Sequence, residues 1–334
     1  MATIQLLFST GIPQIDHVLC GLIGLLEAVF PGRIRSYFLM GSYSDGTAVL
    51  LSDLDLALIF KETISSDEML QLKQMLPACI QLSPCPLDVI ALSEDVLMRD
   101  GVIVLKLAAR PIFGADLRPV LPLRPLDRYT RRAMHTPATV FSVMRGHPAW
   151  LTAPIDYPDP NGRFYGYDRH HRRIGHGQQQ AQGGTTDLVW SVTQIANALI
   201  AHQAGQYVAT KHDSYLKYRR WINDAWTPLV ETVIIQCREV WGYLVPDKAD
   251  DQALLRLLCQ QALEFENYFL SVYKAYLLAE LRHPNTAIRT LALRGLGAVV
   301  YRDDQSVRSA LEEARRNAGD EMDQLIEATL QHYL

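Results

Sequence analysis

The segment 37–60 constrains the fold more than any other part of this sequence. It reads YFLMGSYSDGTAVLLSDLDLALIF: one apolar run ends at Gly41-Ser42, a second turn signal lies at Asp45-Gly46, and another apolar run follows. Short apolar runs separated by glycine-containing turns predict two buried β-strands. We therefore expect a sheet in the N-terminal part of the chain, with the Gly41-Ser42 turn at one of its ends.

The second of these strands carries two aspartates on one side. Asp53 and Asp55 lie two positions apart in the segment 52–60, and side chains repeat every two residues along a strand, so both point the same way. Neighbouring carboxylates repel each other unless a cation lies between them. Mg²⁺ is usually bound by one or two carboxylates together with substrate phosphates. The pattern therefore predicts a site for two magnesium ions, about 3.5–4 Å apart, of the kind that serves in-line displacement.

A third aspartate, Asp88, lies in the apolar run 86–92 (PLDVIAL), which predicts another short buried strand. A charge inside an apolar strand is costly unless it is paired or coordinates a metal. If this strand lies beside the segment 52–60, Asp88 completes a carboxylate triad with Asp53 and Asp55. One alternative is that Asp-x-Asp marks a solvated strand end and that Gly-Ser is an ordinary turn. Another is that the chain keeps the fold but has lost the activity.

Together these residues resemble the DNA polymerase β-type nucleotidyltransferase superfamily, and most closely the small-molecule branch that includes the aminoglycoside nucleotidyltransferases. In that family a Gly-Ser turn grips the triphosphate and an Asp-x-Asp pair holds magnesium. A third acidic residue on a nearby strand binds metal and, in some members, acts as the base. The resemblance implies that Gly41 and Ser42 grip the triphosphate and that Asp53 and Asp55 hold magnesium. It implies that Asp88 is the third acidic residue, which binds metal and can act as the base.

Two further segments resemble the family more weakly. The segment 102–116 is similar to the one that closes the family's catalytic domain. The segment 198–226 is similar to a helical stretch in which a lysine after Ser or Thr reaches the triphosphate. Lys211, which follows Thr210, is the matching position. Its alternative is an exposed lysine at the end of a helix.

The resemblance implies an Mg²⁺-dependent, cytoplasmic, ATP-binding transferase. It would transfer AMP from ATP, or another nucleotide from its triphosphate, to a hydroxyl of a small-molecule acceptor, and pyrophosphate would leave. Two other interpretations remain open. One is nucleotidyl transfer to a protein side chain or a tRNA end, as in toxin-type relatives. The other is a catalytically inactive scaffold of the same fold.

Helical periodicity in the segments 14–30, 66–76 and 93–107, between the apolar runs, predicts a small α/β domain over residues 1–118, which the resemblance implies is the nucleotidyltransferase domain. Ser66 is the expected N-cap of the second helix, and Pro77 is expected just beyond its end. A proline-containing stretch leads to a mostly helical domain over residues 127–334. The predicted class is therefore α+β: a small mixed sheet followed by helices.

The region 145–185 is expected to be a loop-rich insertion in the second domain, because it holds four prolines and seven glycines. Its segment 163–176 (RFYGYDRHHRRIGH) is basic and aromatic. It would serve as a lid over a nucleotide or acceptor, or else be a solvated loop. A metal site made by His170, His171 and His176 is disfavoured, because their spacing matches no zinc signature.

Composition excludes several classes of protein. Hydrophobic residues make up 49% of the 334 residues, which suits a substantial core, and the net charge of −4 argues against a broad nucleic-acid-binding surface. The five cysteines are odd in number and match no zinc pattern, so we expect reduced thiols, as is usual in the cytoplasm. We expect no signal peptide and no membrane span, since no run of about 20 apolar residues occurs.

Overall fold

The computed structural model describes residues 4–49, 52–169, 183–316 and 320–333. They form two compact units. Unit 1 comprises the described residues of Met1–Tyr129 together with Gln206–Lys217, and unit 2 comprises the rest. A small mixed sheet lies in the N-terminal part and the remainder is mostly helical, so the predicted fold class is confirmed.

The sheet of unit 1 has four strands in the order β3-β2-β1-β4. They are β1 (Ile34–Met40), β2 (Leu54–Phe60), β3 (Leu87–Ser93) and β4 (Arg110–Gly114). Strand β1 runs antiparallel to both β2 and β4, whereas β2 and β3 are parallel. The sheet is therefore mixed, and β3 and β4 form its edges.

The predicted alternation of side chains along β2 is present, and it divides the core of unit 1 into two clusters. The leucines at 54, 56 and 58 pack into one cluster with α1 and α3. Ala57 and Ile59 pack into the other with α4 and α5. Both faces of the sheet are thus covered by helices. These helices are α1 (Pro13–Val29), α2 (Gly41–Asp45), α3 (Ser66–Leu82), α4 (Glu94–Asp100) and α5 (Ile103–Leu107).

Helix α3 differs from its prediction at both ends. Its N-cap is Ser65, which forms a capping box with Glu68, and the helix continues through Pro77 to Leu82. A proline inside a helix removes one backbone hydrogen bond. Most side chains from position 71 to the helix end are exposed or only partly buried, so water can satisfy the carbonyl that Pro77 leaves unpaired. The expectation that Pro77 ends this helix was wrong.

Strand β3 also differs from its prediction. It is an edge strand with a single neighbour, and both Asp88 and Ile90 are exposed. The expectation of a buried strand was therefore wrong, and the cost of burying a charge gives no reason for an aspartate at position 88. The predicted helix over 93–107 is divided into α4 and α5 at Gly101. This residue has φ +62, and a Cβ there would lie 2.7 Å from the Pro122 carbonyl oxygen.

Unit 2 is organised around the 32-residue helix α10, which packs against α7, α9 and α11. A short parallel pair, β5 (Leu151–Ala153) and β6 (Val299–Tyr301), joins two distant parts of the chain. The remaining helices are α6 (Leu126–Met144), α7 (Thr186–Ala204), α8 (Lys211–Trp221), α9 (Thr227–Thr232) with a π-helical continuation (Val233–Val240), α10 (Ala249–Glu280), α11 (Thr286–Ala298), α12 (Gln305–Arg316), α13 (Asp320–Leu330) and a final 3₁₀ turn (Gln331–Tyr333). Helices α6 and α8 each begin in unit 1.

The described parts of the predicted insertion, residues 145–169 and 183–185, contain both buried and exposed residues. Phe164 and Tyr167 are buried, and Asn267 on α10 exchanges two hydrogen bonds with the backbone of Ile155. Tyr165 stacks on Tyr157 with ring centroids 4.3 Å apart. The histidines weighed as a metal site, at 170, 171 and 176, lie outside the described residues.

All five cysteines are free thiols, and those at 85, 237 and 259 are buried. Burial raises the pKa of each of these three thiols. Among the helices built from described residues, none has the length and apolar character to cross a membrane.

Candidate active site

Strand pairing brings two of the predicted carboxylates side by side. Asp55 on β2 is the register partner of Asp88 on β3, and the two strands are parallel, so both side chains project from the same face of the sheet. Neighbouring strands lie about 4.7–4.9 Å apart. Asp53 comes two residues before Asp55, immediately before β2 begins. The structure therefore places all three aspartates at the N-terminal ends of two adjacent strands.

The predicted Gly-Ser turn meets the same corner of the sheet. Met40, the last residue of β1, is the register partner of Asp55, and Gly41 follows it directly. Gly41 has φ +62, a conformation that suits glycine, and a Cβ at this position would collide with Asp55 Oδ2. A glycine is therefore required if the Asp55 carboxylate is to lie against the backbone of the turn.

The turn is the short helix α2, whose first residues include the predicted Ser42. Ser42 is half-buried, and its hydroxyl has no hydrogen-bond partner within residues 4–49, 52–169, 183–316 and 320–333. Ser44, two residues later, is buried, and its Oγ lies 2.7 Å from the Gly41 carbonyl oxygen and 3.1 Å from that of Ala108. Ser44 thus fixes the turn, whereas the Ser42 hydroxyl takes no part in holding it among the described residues.

Tyr43 fixes the turn on its other side. It is buried in the same core cluster as Leu54 and Leu87, the first residues of β2 and β3. Its hydroxyl lies near the Cys85 thiol. Burial, then the neighbouring Cys85 and Asp53, raise the pKa of Tyr43 to about 12. Sequence reasoning missed both Tyr43 and Ser44, and their position beside Ser42 is the only signal that would have indicated them.

Part of the distant segment 206–217 lies beside this turn. A cleft of about 230 Å³ is lined by Ser44 and Asp45 from α2, by residues 107–110 and Arg118, and by Ala209, Thr210 and Asp213. Thr210 caps α8, since its Oγ1 accepts a hydrogen bond from the Asp213 amide at 3.0 Å. The predicted Lys211 is the exposed first residue of that helix, next to the cleft. All of these residues belong to unit 1.

The donor set at the corner suits magnesium. Mg²⁺ binds oxygen and usually takes one or two carboxylates, completing its octahedron with water and phosphates. Asp55 and Asp88 provide such a pair, and the Gly41 backbone leaves room for the Asp55 carboxylate. In the described parts of the chain, no group of three or more His, Cys, Asp or Glu residues is arranged to hold a metal ion. Phosphate oxygens would therefore have to supply the rest of the coordination.

The chain was compared with known protein families, curated sequences and solved structures. No sequence profile of a known protein family matches the chain, and neither does any curated protein sequence. Among solved structures, the fold is similar to spectinomycin adenyltransferase AAD(9) from Enterococcus faecialis, crystallised with ATP and spectinomycin. The TM-score is 0.45 at 11% sequence identity, and the alignment covers 76% of this chain and 98% of that one.

Proposed function

We propose that this chain is an Mg²⁺-dependent nucleotidyltransferase with its site at the corner of the unit 1 sheet. One observation carries the proposal. Strand register places Asp55 beside Asp88, and Gly41 brings the backbone of the Gly-Ser turn against the Asp55 carboxylate. Carboxylates for a metal and a turn for phosphates thus meet at one point. A turn with only a structural role would not need a glycine in contact with the Asp55 carboxylate.

Asp53 and Asp55 are assigned to hold Mg²⁺, with Asp88 as a further ligand. Asp55 lies on β2 and Asp53 immediately precedes that strand, and both carry negative charge that a divalent cation would offset. When bound, Mg²⁺ would offset the negative charge that develops on the phosphates during displacement.

Asp88 is assigned as the general base. It is exposed on an edge strand and has no hydrogen-bond or ion-pair partner among the described residues. Its carboxylate accepts the proton of the acceptor hydroxyl. The acceptor oxygen then attacks the α-phosphorus, the bond to the bridging oxygen breaks, and pyrophosphate leaves.

The phosphates are assigned to the turn and to α8. The Ser42 hydroxyl and neighbouring backbone N–H groups of the turn donate to phosphate oxygens. Lys211 extends from the first position of α8, where the positive end of the helix also favours an anion. These groups orient the triphosphate so that its leaving group lies opposite the acceptor oxygen.

We assign AMP as the transferred group and a small molecule with a hydroxyl as the acceptor, in keeping with the branch that the sequence resembles. Incubation with α-³²P-labelled ATP, MgCl₂ and either an aminoglycoside panel, total tRNA or purified proteins tests this directly. Wild type should transfer label to a small molecule and release pyrophosphate, and Asp53→Ala/Asp55→Ala should do neither. Label on tRNA or protein would replace the acceptor class. If wild-type protein labelled nothing with any of the four NTPs, the activity would be refuted.

A further inference from the structure

Arg110 lines the cleft beside the Gly-Ser turn, and its position there is fixed. It is the exposed first residue of β4, and its Nε donates to the Ser44 carbonyl oxygen at 3.3 Å. Its guanidinium also lies over the Phe8 ring, with Cζ 5.7 Å from the ring centroid. The Arg110 guanidinium is therefore held against the C-terminal end of α2, the helix that also carries Ser42.

A second arginine in the same cleft gives an internal comparison. The Nε and NH2 groups of Arg118 donate to the Asp116 carboxylate at 2.9 and 2.8 Å, and its NH1 donates to the Ala109 carbonyl oxygen. Each of the three nitrogens of this guanidinium therefore already donates to the protein, and the bonds to Asp116 lower the pKa of that carboxyl. The NH1 and NH2 groups of Arg110, in contrast, have no hydrogen-bond partner among the residues that the structure describes.

The carboxylates of the cleft are already bound locally and do not pair with Arg110. Asp45 accepts hydrogen bonds from the backbone and hydroxyl of Thr47 at 3.0 and 2.6 Å. Asp213 forms an ion pair with Lys217 at 2.8 Å. Both terminal nitrogens of Arg110 thus remain for a ligand, whereas each nitrogen of Arg118 is already engaged, and the ligand that a guanidinium suits is an anion.

We propose that Arg110 binds the β- or γ-phosphate of the nucleotide, as a second cation beside Lys211. This inference rests on the proposed function and goes beyond it, because the Gly-Ser turn, the carboxylates and Lys211 do not require an arginine at this position. Guanidinium groups bind phosphate through two parallel N–H···O bonds, and the two terminal nitrogens of Arg110 provide them. Arg110 would then hold the part of the nucleotide that leaves as pyrophosphate.

The test measures affinity as a function of the number of phosphates. Calorimetric titration of ATP, ADP and AMP with MgCl₂ into wild type and Arg110→Gln should show that the substitution weakens ATP binding about 10- to 100-fold. AMP binding should stay unchanged, since AMP lacks the phosphates in question. Arg110→Lys should restore part of the ATP affinity, because it returns the charge without the paired donors.

Arg118→Gln is the matched control. It removes the same charge from the same cleft, but from a guanidinium that the Asp116 carboxylate and the Ala109 carbonyl oxygen already hold, so ATP affinity should stay near the wild-type value. Thermal unfolding shows whether each variant is folded. Wild type that binds no nucleotide refutes the proposed function and this inference together. Wild type that binds ATP, with Arg110→Gln binding it equally well or losing ATP and AMP affinity alike, refutes this inference alone.

Discussion

Two carboxylates, one in each unit, show how differently this chain treats negative charge. Glu266 on α10 in unit 2 has a fully buried side chain. It accepts a hydrogen bond from Ser191 at 2.6 Å and one from Arg145 at 2.7 Å. Arg145 in turn donates twice to the Asp156 carbonyl oxygen, so Glu266 anchors the beginning of the predicted insertion.

Asp88 in unit 1 is the opposite case. It lies exposed on an edge strand beside Asp55, and no described residue offers it a hydrogen bond or an ion pair. This contrast distinguishes a carboxylate with a structural role, Glu266, from one with a proposed functional role, Asp88. The carboxylate that holds the fold together is neutralised by the chain itself, whereas the one proposed for catalysis is left to solvent and ligand. Four predictions test this distinction.

The largest expected effect is on stability and comes from the buried pair. Glu266→Ala leaves the Arg145 guanidinium buried without its counter-charge, which typically costs about 3–5 kcal/mol. Urea unfolding followed by circular dichroism should show this loss. The matched substitution Asp88→Ala should change the free energy of unfolding by less than about 0.5 kcal/mol. Equal losses in the two variants would break the comparison.

Acid should lower the stability of the fold through a second buried group of unit 2, His135. His135 Nδ1 lies 2.5 Å from the Tyr273 hydroxyl. Burial lowers the pKa of His135 from 6.5 to about 4; Glu280 opposes this shift and Arg131 adds to it. As the pH falls, His135 is therefore protonated in the unfolded chain before it is protonated in the folded protein. The stability that is present above pH 6.5 is lost progressively between pH 6.5 and about pH 4. The loss is at most about 3 kcal/mol.

Unfolding of His135→Gln across the same pH range provides the measurement. The variant has no imidazole to protonate, so its stability should fall less steeply between pH 6.5 and 4 than that of wild type. Parallel pH profiles for the two proteins would show that His135 is not the group responsible.

The third prediction concerns catalysis by Asp88. Asp88→Asn keeps the shape of the side chain but cannot accept a proton, so the rate of nucleotidyl transfer should fall about 100-fold, equivalent to about 2.7 kcal/mol. Nucleotide affinity should change far less. Asp95→Asn, an exposed carboxylate on α4, is the control and should leave the rate unchanged. A full rate in Asp88→Asn would remove Asp88 from its role as base.

The smallest expected effect on stability separates backbone strain from contact. Gly41 and Gly46 flank the turn with φ +62 and +75, so alanine at either position should cost about 1 kcal/mol. A Cβ at Gly46 meets nothing within 4 Å, whereas one at Gly41 collides with Asp55 Oδ2. Only Gly41→Ala should therefore weaken Mg²⁺-nucleotide binding. Equal binding by both variants would mean that the Asp55 carboxylate need not lie against the turn.

Sequence periodicity predicted the features of the site that depend on local pattern. The alternation along β2 sets the face from which Asp55 projects, and it needs no tertiary information. That Asp53 shares this face stays a prediction, because Asp53 lies just before the strand. The exposure of β3 was not predictable in this way, because an apolar run does not reveal whether a strand has one neighbour or two. Ser44 and Arg110 were missed because their contacts, to Ala108 and to Ser44, span 64 and 66 residues.

The central claim is that the corner formed by Gly41, Asp55 and Asp88 binds a magnesium nucleotide. Calorimetric titration of MgATP, MgGTP, MgCTP and MgUTP into wild type and Asp53→Ala/Asp55→Ala tests it most directly. Wild type should bind one of these nucleotides, and EDTA should abolish that binding. The double variant should stay folded but bind none of them. Wild type that binds none of the four, or a double variant that binds as well as wild type, would contradict it.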